Sequence, residues 1–598
     1  MRILVMALLF ASASLNLLTG QQHAPSLLQN IASRKVTTLD GKWKIIVDPL
    51  ENGYYNHRYQ PRDDGYFKNG KAKSPSDLIE YDFDTDVELQ VPGDWNTQME
   101  KLYYYEGTVW YKRSFDYSLP KENRVYVYFE GVNYTARVYL NGEYLGYHEG
   151  GFTPFQFEIT GGLKEKDNFL VIKVDNVRKK EGVPTLNTDW WNYGGVTRSV
   201  HLVEVPQSHI ADYFLRLSDD GKMIEGWVRA DGAVEGSRVE IGIPELKKNV
   251  AVTTDASGMA SFSFKAKPEL WSPDKPKRYA VTLEMGNDKI QDQIGFRSII
   301  TKGTDILLNG KPIFLKGISI HEEAPFRTGR VTTLEQVRTL LQWARELGCN
   351  YVRLAHYPHS EVMVQEAEAM GLMIWSEIPV YWTVEFNNED TYRNAENQLM
   401  EMISRDKNRA GILLWSVANE TPISGERTEF LGRLATKARA MDPSRLITAA
   451  LDTHSEEDGV KVIDDPLAAV VDVIGINYYC GWYTGNPGSC GSIRWKNLYD
   501  KPMVMSEVGG GALQGLHGTA EQRWTEEYQD EVYKENIEMI RNISFLRGLS
   551  PWILMDFRSS RRHLRPIQND FNRKGLISEQ GIRKKAFFTL QEYYLNEN

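Results

Sequence analysis

At 598 residues the chain is too long for one hydrophobic core, and roughly three or four domains are expected. Hydrophobic residues at 41% and charged residues at 25% are ordinary globular values, which excludes a disordered chain and a bundle of membrane helices. A net charge of −10 argues against non-specific binding to nucleic acid.

The N-terminus runs Met1-Arg2, an apolar stretch from Ile3 to Phe10, small residues from Ala11 to Ser14, then Gln21-Gln22. Residues 1–22 therefore read as a signal peptide, with export to the periplasm or the extracellular space as the expectation. The apolar run falls short of the ~20 residues that cross a bilayer, no later run does better, and no membrane span is expected. Three cysteines are too few for a disulfide scaffold, and a bridge between Cys480 and Cys490 across a loop is the less favoured reading. Residues 23–205 show short alternating strands with turn signals, among them Asn141-Gly142, a type I′ hairpin pair, and read as an all-β sandwich. A second strand-rich stretch, 206–300, has turns at Asp220-Gly221, Ser257-Gly258 and Asn287-Asp288 and the length of an immunoglobulin-like sandwich. No helix is required before residue 300.

Over 301–598 the pattern changes to buried-type apolar runs alternating with helices of three-to-four periodicity. The predicted strands are Phe314–Ser319, Tyr351–Ala355, Met373–Ile378, Ile412–Val417, Leu446–Leu451, Val473–Tyr478, Pro502–Ser506 and Trp552–Asp556. Thr333 and Gln336 form a capping box for a helix with Leu334, Val337, Leu341, Ala344 and Leu347 on one stripe, ended by Gly348. Ser360 caps another, which stops at Gly371. Strand and helix alternating in this way predict a (β/α)8 TIM barrel, whose chemistry sits at the C-terminal ends of its strands.

Two of those ends carry a glutamate: Ile412-Leu-Leu-Trp-Ser-Val-Ala-Asn-Glu420 and Pro502-Met-Val-Met-Ser-Glu507. Paired carboxyls facing one pocket suit glycoside cleavage, in which one protonates the leaving oxygen while the other attacks the anomeric carbon or activates water. A gap of about 5 Å means retention and roughly 6.5–9.5 Å inversion, a choice the sequence leaves open. Arg353 and Tyr479, at the ends of strands two and six, would stabilise an ionised member of the pair, while repulsion between the two charges keeps the other protonated.

The runs Trp415-Ser-Val-Ala-Asn-Glu420 and Ser506-Glu507, with His356-Tyr-Pro358 and Trp375-Ser-Glu-Ile-Pro379, resemble glycoside hydrolase family 2. So do Val91-Pro-Gly-Asp-Trp-Asn96, Gly107-Thr-Val-Trp-Tyr-Lys-Arg113, Asp189-Trp-Trp-Asn-Tyr-Gly-Gly195 and Trp271-Ser-Pro273, so that the resemblance covers nearly all of the mature chain. It implies a jelly-roll sugar-binding domain, an immunoglobulin-like β-sandwich and a catalytic barrel, in that order, and a retaining mechanism. It also implies Glu420 as acid/base, Glu507 as nucleophile, Asn419 as partner of the sugar 2-hydroxyl and Tyr479 as hydrogen-bond partner of the nucleophile. Homo-oligomers are common in the family, although no residue here marks an interface.

Members act on β-galactosides, β-mannosides and β-glucuronides, so the pocket must choose the sugar. The loop Arg558–Lys574 holds six Arg or Lys, which suggests an anionic substrate, with structural ion pairs as the alternative. Within it, Asn572-Arg573-Lys574 resembles the Asn-x-Lys motif by which the β-glucuronidases of the family grip the substrate carboxylate. Asp189, His356, Tyr483 and Trp552 match further positions that line the sugar in those enzymes. Where many relatives carry Asn-His-Pro, this chain has Asn408-Arg409-Ala410, lacking the histidine that magnesium-dependent β-galactosidases use; neither metal nor cofactor is expected. The expectation is an exo-acting β-glucuronidase with a carbohydrate substrate. β-Galactosidase or β-galacturonidase activity and a non-catalytic carbohydrate-binding protein are the alternatives. The short stretch between Glu377 and Tyr392 suggests an open site that admits oligosaccharide ends.

Overall fold

Alternation of buried and exposed side chains, as along Met259–Lys265, lets a strand bury one face only, and this pattern builds two β-sandwiches ahead of the barrel. The computed structural model describes residues 27–61, 73–77, 82–83, 87–118, 122–456 and 459–596; the signal peptide expected at 1–22 lies outside the described residues. The first sandwich packs a six-stranded sheet, in the order Glu88–Val91, Gly41–Val47, Thr108–Phe115, Asn168–Asp175, Thr135–Leu140 and Glu143–Glu149, against a four-stranded one. Trp43, Trp95, Tyr111 and Val127 fill the space between. Asn141 and Gly142 both have positive φ, 54° and 91°, as the type I′ hairpin requires. One short helix, Trp95–Gln98, departs from the expectation that none is needed here: the Asp94 carboxylate accepts the Thr97 N–H at 2.8 Å and caps it. The second sandwich sets His209–Leu217, Met223–Asp231 and Met259–Lys265 against a four-stranded sheet around Ile210, Val228, Ile241 and Ile290.

The barrel closes through eight parallel strands. In chain order its elements are β1 (Leu315–Ile320), α1 (Leu334–Glu346), β2 (Tyr351–Leu354), α2 (Glu361–Ala369), β3 (Met373–Glu377), α3 (Glu389–Asp406), β4 (Ile412–Asn419), α4 (Gly425–Met441), β5 (Leu446–Leu451), β6 (Val473–Asn477), β7 (Met503–Glu507), α5 (Glu526–Arg541), β8 (Leu546–Leu549) and α6 (Lys585–Asn596). The capping box of α1 forms, though Leu334 is exposed, and Ser360 caps α2. Strand eight corrects the expectation: it is Leu546–Leu549, and Trp552–Asp556 lies on the connection that follows. Arg547 and Gly548 interrupt the apolar run that marks a buried strand. The closing strand needs Gly548, where a Cβ would stand 2.7 Å from the Leu315 Cβ. Gly475 in β6 likewise leaves room for the indole of Trp375, 2.6 Å from where a Cβ would be.

The segment 407–409 fastens barrel to second sandwich. Lys407 Nζ pairs with Asp212 at 2.7 Å, Asn408 Nδ2 donates to the Tyr213 carbonyl at 2.9 Å, and Arg409 pairs with Asp292. After β6, Cys480 and Cys490 form a disulfide, contrary to the favoured reading, while Cys349 is a buried thiol. Spacing could not decide this, since bridging depends on where the loop brings the two Cβ atoms, and the fold sets their Cα atoms 5.8 Å apart. The bridge closes a short loop, so Cys490→Ser should cost about 2–3 kcal/mol and lower the Tm of the barrel. A thermal scan with and without reductant checks this: the wild type should move towards the variant on reduction and the variant should not respond.

Candidate active site

Arg353, on β2 and wholly buried, organises the barrel mouth. Nη1 donates to Glu507 Oε1 at 2.8 Å and to the Ser506 carbonyl at 3.1 Å, and Nη2 donates to Asn419 Oδ1 at 2.7 Å and Glu377 Oε1 at 3.1 Å. A planar guanidinium with five N–H donors can satisfy this many acceptors at once; an ammonium could not do so in one plane. Glu377, at the end of β3, is a third buried acid that was absent from the expected site. Burial alone would raise its pKa, but the Arg353 charge, His356 Nδ1 at 3.0 Å and the Trp375 indole N–H at 2.8 Å hold it down at about 2. Arg353 thus lies between two acids, and both are kept in hydrogen-bonded positions.

Glu507 is buried, and its second oxygen accepts a 2.5 Å hydrogen bond from the Tyr479 hydroxyl. His356 Nε2 stands 3.7 Å from Glu507 Oε1, and the His356 ring stacks on Trp552 with centroids 4.7 Å apart. Asn419 spends its carbonyl oxygen on Arg353 and on Asn477 Nδ2, the latter at 3.1 Å. Its Nδ2 is buried without a hydrogen-bond partner among the described residues.

Glu420 leaves β4 with φ at 51°, and Trp382, whose indole N–H donates to Glu420 Oε2 at 2.8 Å, has φ at 55°. Two non-glycine residues held in the left-handed region cost on the order of 1–3 kcal/mol each, which the surrounding barrel must offset. Burial raises the Glu420 pKa, the negative charge of Glu507 raises it further, and the Trp382 hydrogen bond opposes both. The two glutamates therefore differ by environment: Glu507 sits among donors, while Glu420 is favoured in its protonated form.

A second group forms beside them. Asp189, delivered by the first sandwich, accepts hydrogen bonds from Ser559 Oγ at 2.7 Å, Arg562 Nε at 2.9 Å and Asn572 Nδ2 at 3.1 Å. Burial would raise its pKa, but the hydrogen bond and charge of Arg562, the nearby Lys574 charge and the Ser559 hydrogen bond together lower it. Lys574 Nζ donates to Tyr483 Oη at 2.8 Å and lies 5.5 Å from the ring centroid of Tyr479, so Tyr479 joins the two groups. Lys574 is 4% exposed, and among the described residues no carboxylate pairs with it.

The basic loop does not act as one cluster. Arg573 is consumed by Asp556 and Glu579, and Arg558 is sandwiched between the rings of Tyr103 and Trp191, 4.1 and 3.8 Å from their centroids. Arg562 goes to Asp189, Arg561 lies over Trp382, and Arg565 is exposed. Every expected site residue is in this network; Glu377, Trp382, Asn477 and Arg562 were missed. An acid ending β3 was a readable signal for Glu377, but Trp382 follows the strand on a loop with no local mark of its role.

A barrel whose mouth sets a carboxyl with a raised pKa against one ringed by donors, with a sandwich domain reaching in, is the architecture of a multidomain glycosidase. The models for the glycosyl hydrolases family 2 match the sugar binding domain at 36–206, a central domain at 208–297 and the TIM barrel domain at 299–598, and the chain belongs to that family. The β-glucuronidase of Rattus norvegicus is 27% identical over 625 residues, covering 94% of this chain and 91% of its own. That of Paenibacillus borealis is 26% identical over 617 residues, covering 93% and 96%. Among solved structures, Bifidobacterium dentium β-glucuronidase complexed with coumarin-3-O-glucuronide superposes with a TM-score of 0.80 at 26% identity, over 95% of this chain and 98% of that one. A β-galacturonidase from Eisenbergiella tayi bound to galacturonate shares the fold, with a TM-score of 0.77 at 24% identity over 95% and 98% of the two chains.

The causes of the Glu420 shift are separable. Glu507→Gln removes the neighbouring negative charge and should lower the Glu420 pKa, whereas Trp382→Phe removes a donor to the carboxylate and should raise it. Carbon-13 NMR titration of labelled glutamate would follow both, and no movement in either variant would mean that burial alone sets the value.

Proposed function

We propose that the protein is a retaining exo-β-glucuronidase, and the observation that carries the sugar is the buried Lys574 ammonium, which among the described residues makes no ion pair with a carboxylate and only feels the charge of Asp189 from a distance. A cation taken out of water without a counter-charge is costly, and a uronate that entered the pocket would supply one. Asn572, held by Asp189, lies two residues away to donate to the same carboxylate. Neutral galactosides would leave the ammonium unpaired.

In this reading Glu507 attacks the anomeric carbon while Glu420 gives its proton to the glycosidic oxygen, and the aglycone leaves. Water then adds to the glycosyl–enzyme ester as Glu420, now ionised, takes its proton and Glu507 departs as carboxylate. Arg353 and Tyr479 hold Glu507 in line, and the free Asn419 amide donates to the 2-hydroxyl. The 26–27% identical β-glucuronidases, matched over nearly their whole length, support the assignment. We also propose that the chain is exported: the signal-like 1–22 segment fits the Cys480–Cys490 bridge, which persists in oxidising compartments.

Lys574→Ala should lower kcat/KM for an aryl β-D-glucuronide on the order of a hundredfold while changing the β-D-galactoside little, so that the preference collapses. Paired rates on the glucuronide, galacturonide and galactoside check this: wild-type preference for galactoside would end the uronate reading, and preference for galacturonide would keep the clamp and change the sugar. Glu507→Gln should abolish turnover with the fold intact, and turnover retained would reject it as nucleophile. Export is checked by mass spectrometry of the mature N-terminus from a periplasmic fraction, where an intact Met1 would contradict it.

A further inference from the structure

The cations of the 558–574 loop that reach the barrel mouth fall into two groups, and a sugar carboxylate accounts for only one. Lys574 stands with Tyr479, which donates to Glu507. Arg561 stands instead with the acid: its guanidinium lies 4.7 Å from the ring centroid of Trp382, whose indole N–H donates to Glu420 Oε2 at 2.8 Å. Its neighbour Arg562 is spent on Asp189, but Arg561 is exposed, and among the described residues it has no carboxylate partner. The loop beneath it is fixed: the Arg561 backbone N–H donates to Ser559 Oγ at 3.3 Å, and that hydroxyl donates to Asp189 at 2.7 Å.

A proton delivered by Glu420 goes to the glycosidic oxygen, so the groups ringing Glu420 face the aglycone and not the uronate ring. The guanidinium covers one face of the indole and leaves its in-plane N–H donors open. A neutral ring could stack on that face only by displacing the cation, whereas a carboxylate or sulfate can take the free N–H groups directly. We propose that Arg561, seated on Trp382, forms a leaving-group subsite selective for anionic aglycones: a carboxylated or sulfated phenol, or the next residue of an acidic oligosaccharide. The inference rests on Glu420 being the acid of the proposed reaction. Because Arg561 is exposed, the selectivity should be modest and screened by salt.

The test is kcat/KM on two substrate pairs, 3-carboxyphenyl against 3-carbamoylphenyl β-D-glucuronide, and a glucuronosyl disaccharide with a sulfated against an unsulfated second sugar. Each is run on the wild type, Arg561→Gln and Arg561→Lys at low and high salt. Comparing the anionic-to-neutral ratio between enzymes cancels differences in leaving-group acidity. In at least one pair, Arg561→Gln should lower that ratio about fivefold, Arg561→Lys should restore part of it, and salt should erode it in the wild type and in Arg561→Lys but not in Arg561→Gln. The pair that responds identifies the aglycone as phenolic or saccharide. Equal losses on anionic and neutral partners, or an unchanged ratio in both pairs, would overturn the proposal. If no glucuronide is turned over at all, the parent reading fails instead, and the same aglycones on the sugar that is accepted would still decide the role of Arg561.

Discussion

The barrel mouth depends on the burial of one guanidinium. Arg353 is wholly enclosed, and its charge is tolerable only because Glu377 and Glu507 face it and the Asn419 and Ser506 oxygens take its remaining donors. Those partners come from β3, β7 and the end of β4, so one side chain fixes the relative positions of groups far apart in sequence. Removing it would leave two buried acids uncompensated, and the cost would fall on the site first.

Around that cation the two glutamates at the strand ends acquire different chemistry. Glu507 is held between Arg353 and Tyr479, whereas Glu420 leaves its strand with strained backbone geometry, beside Trp382, under burial and a neighbouring negative charge. A glycosidase needs this asymmetry, since two carboxyls with the same protonation state could not serve as acid and nucleophile. The left-handed conformations at Glu420 and Trp382 recur where local strain meets function, and both residues touch through one hydrogen bond.

The sandwich domains contribute more than bulk. Asp189 crosses from the first sandwich to hold Arg562 and Asn572, so the loop after β8 takes its shape from another domain. Segment 407–409, in which Arg409 stands where the resembled pattern has a histidine, docks the second sandwich through Asp212, Tyr213 and Asp292. Domain packing and pocket shape are thus built from the same residues, which is why the cations of 558–574 part company: two are structural, one is tied to Asp189, and Arg561, Arg565 and Lys574 have no carboxylate partner among the described residues.

Sequence by itself determined the three-domain order, seven of the eight barrel strands to within a residue or two and the two glutamates, because period-two and three-to-four patterns and strand-end acids are local properties. It misplaced β8, where Arg547 and Gly548 break the apolar run, and it favoured free thiols at Cys480 and Cys490. Tertiary structure alone decided those, together with the roles of Glu377 and Trp382 and the fate of each arginine in the basic loop. The physical reason is common to all of them: a charge, a thiol or an indole takes its function from the partner across the fold, and only closure of the chain brings that partner within hydrogen-bond reach.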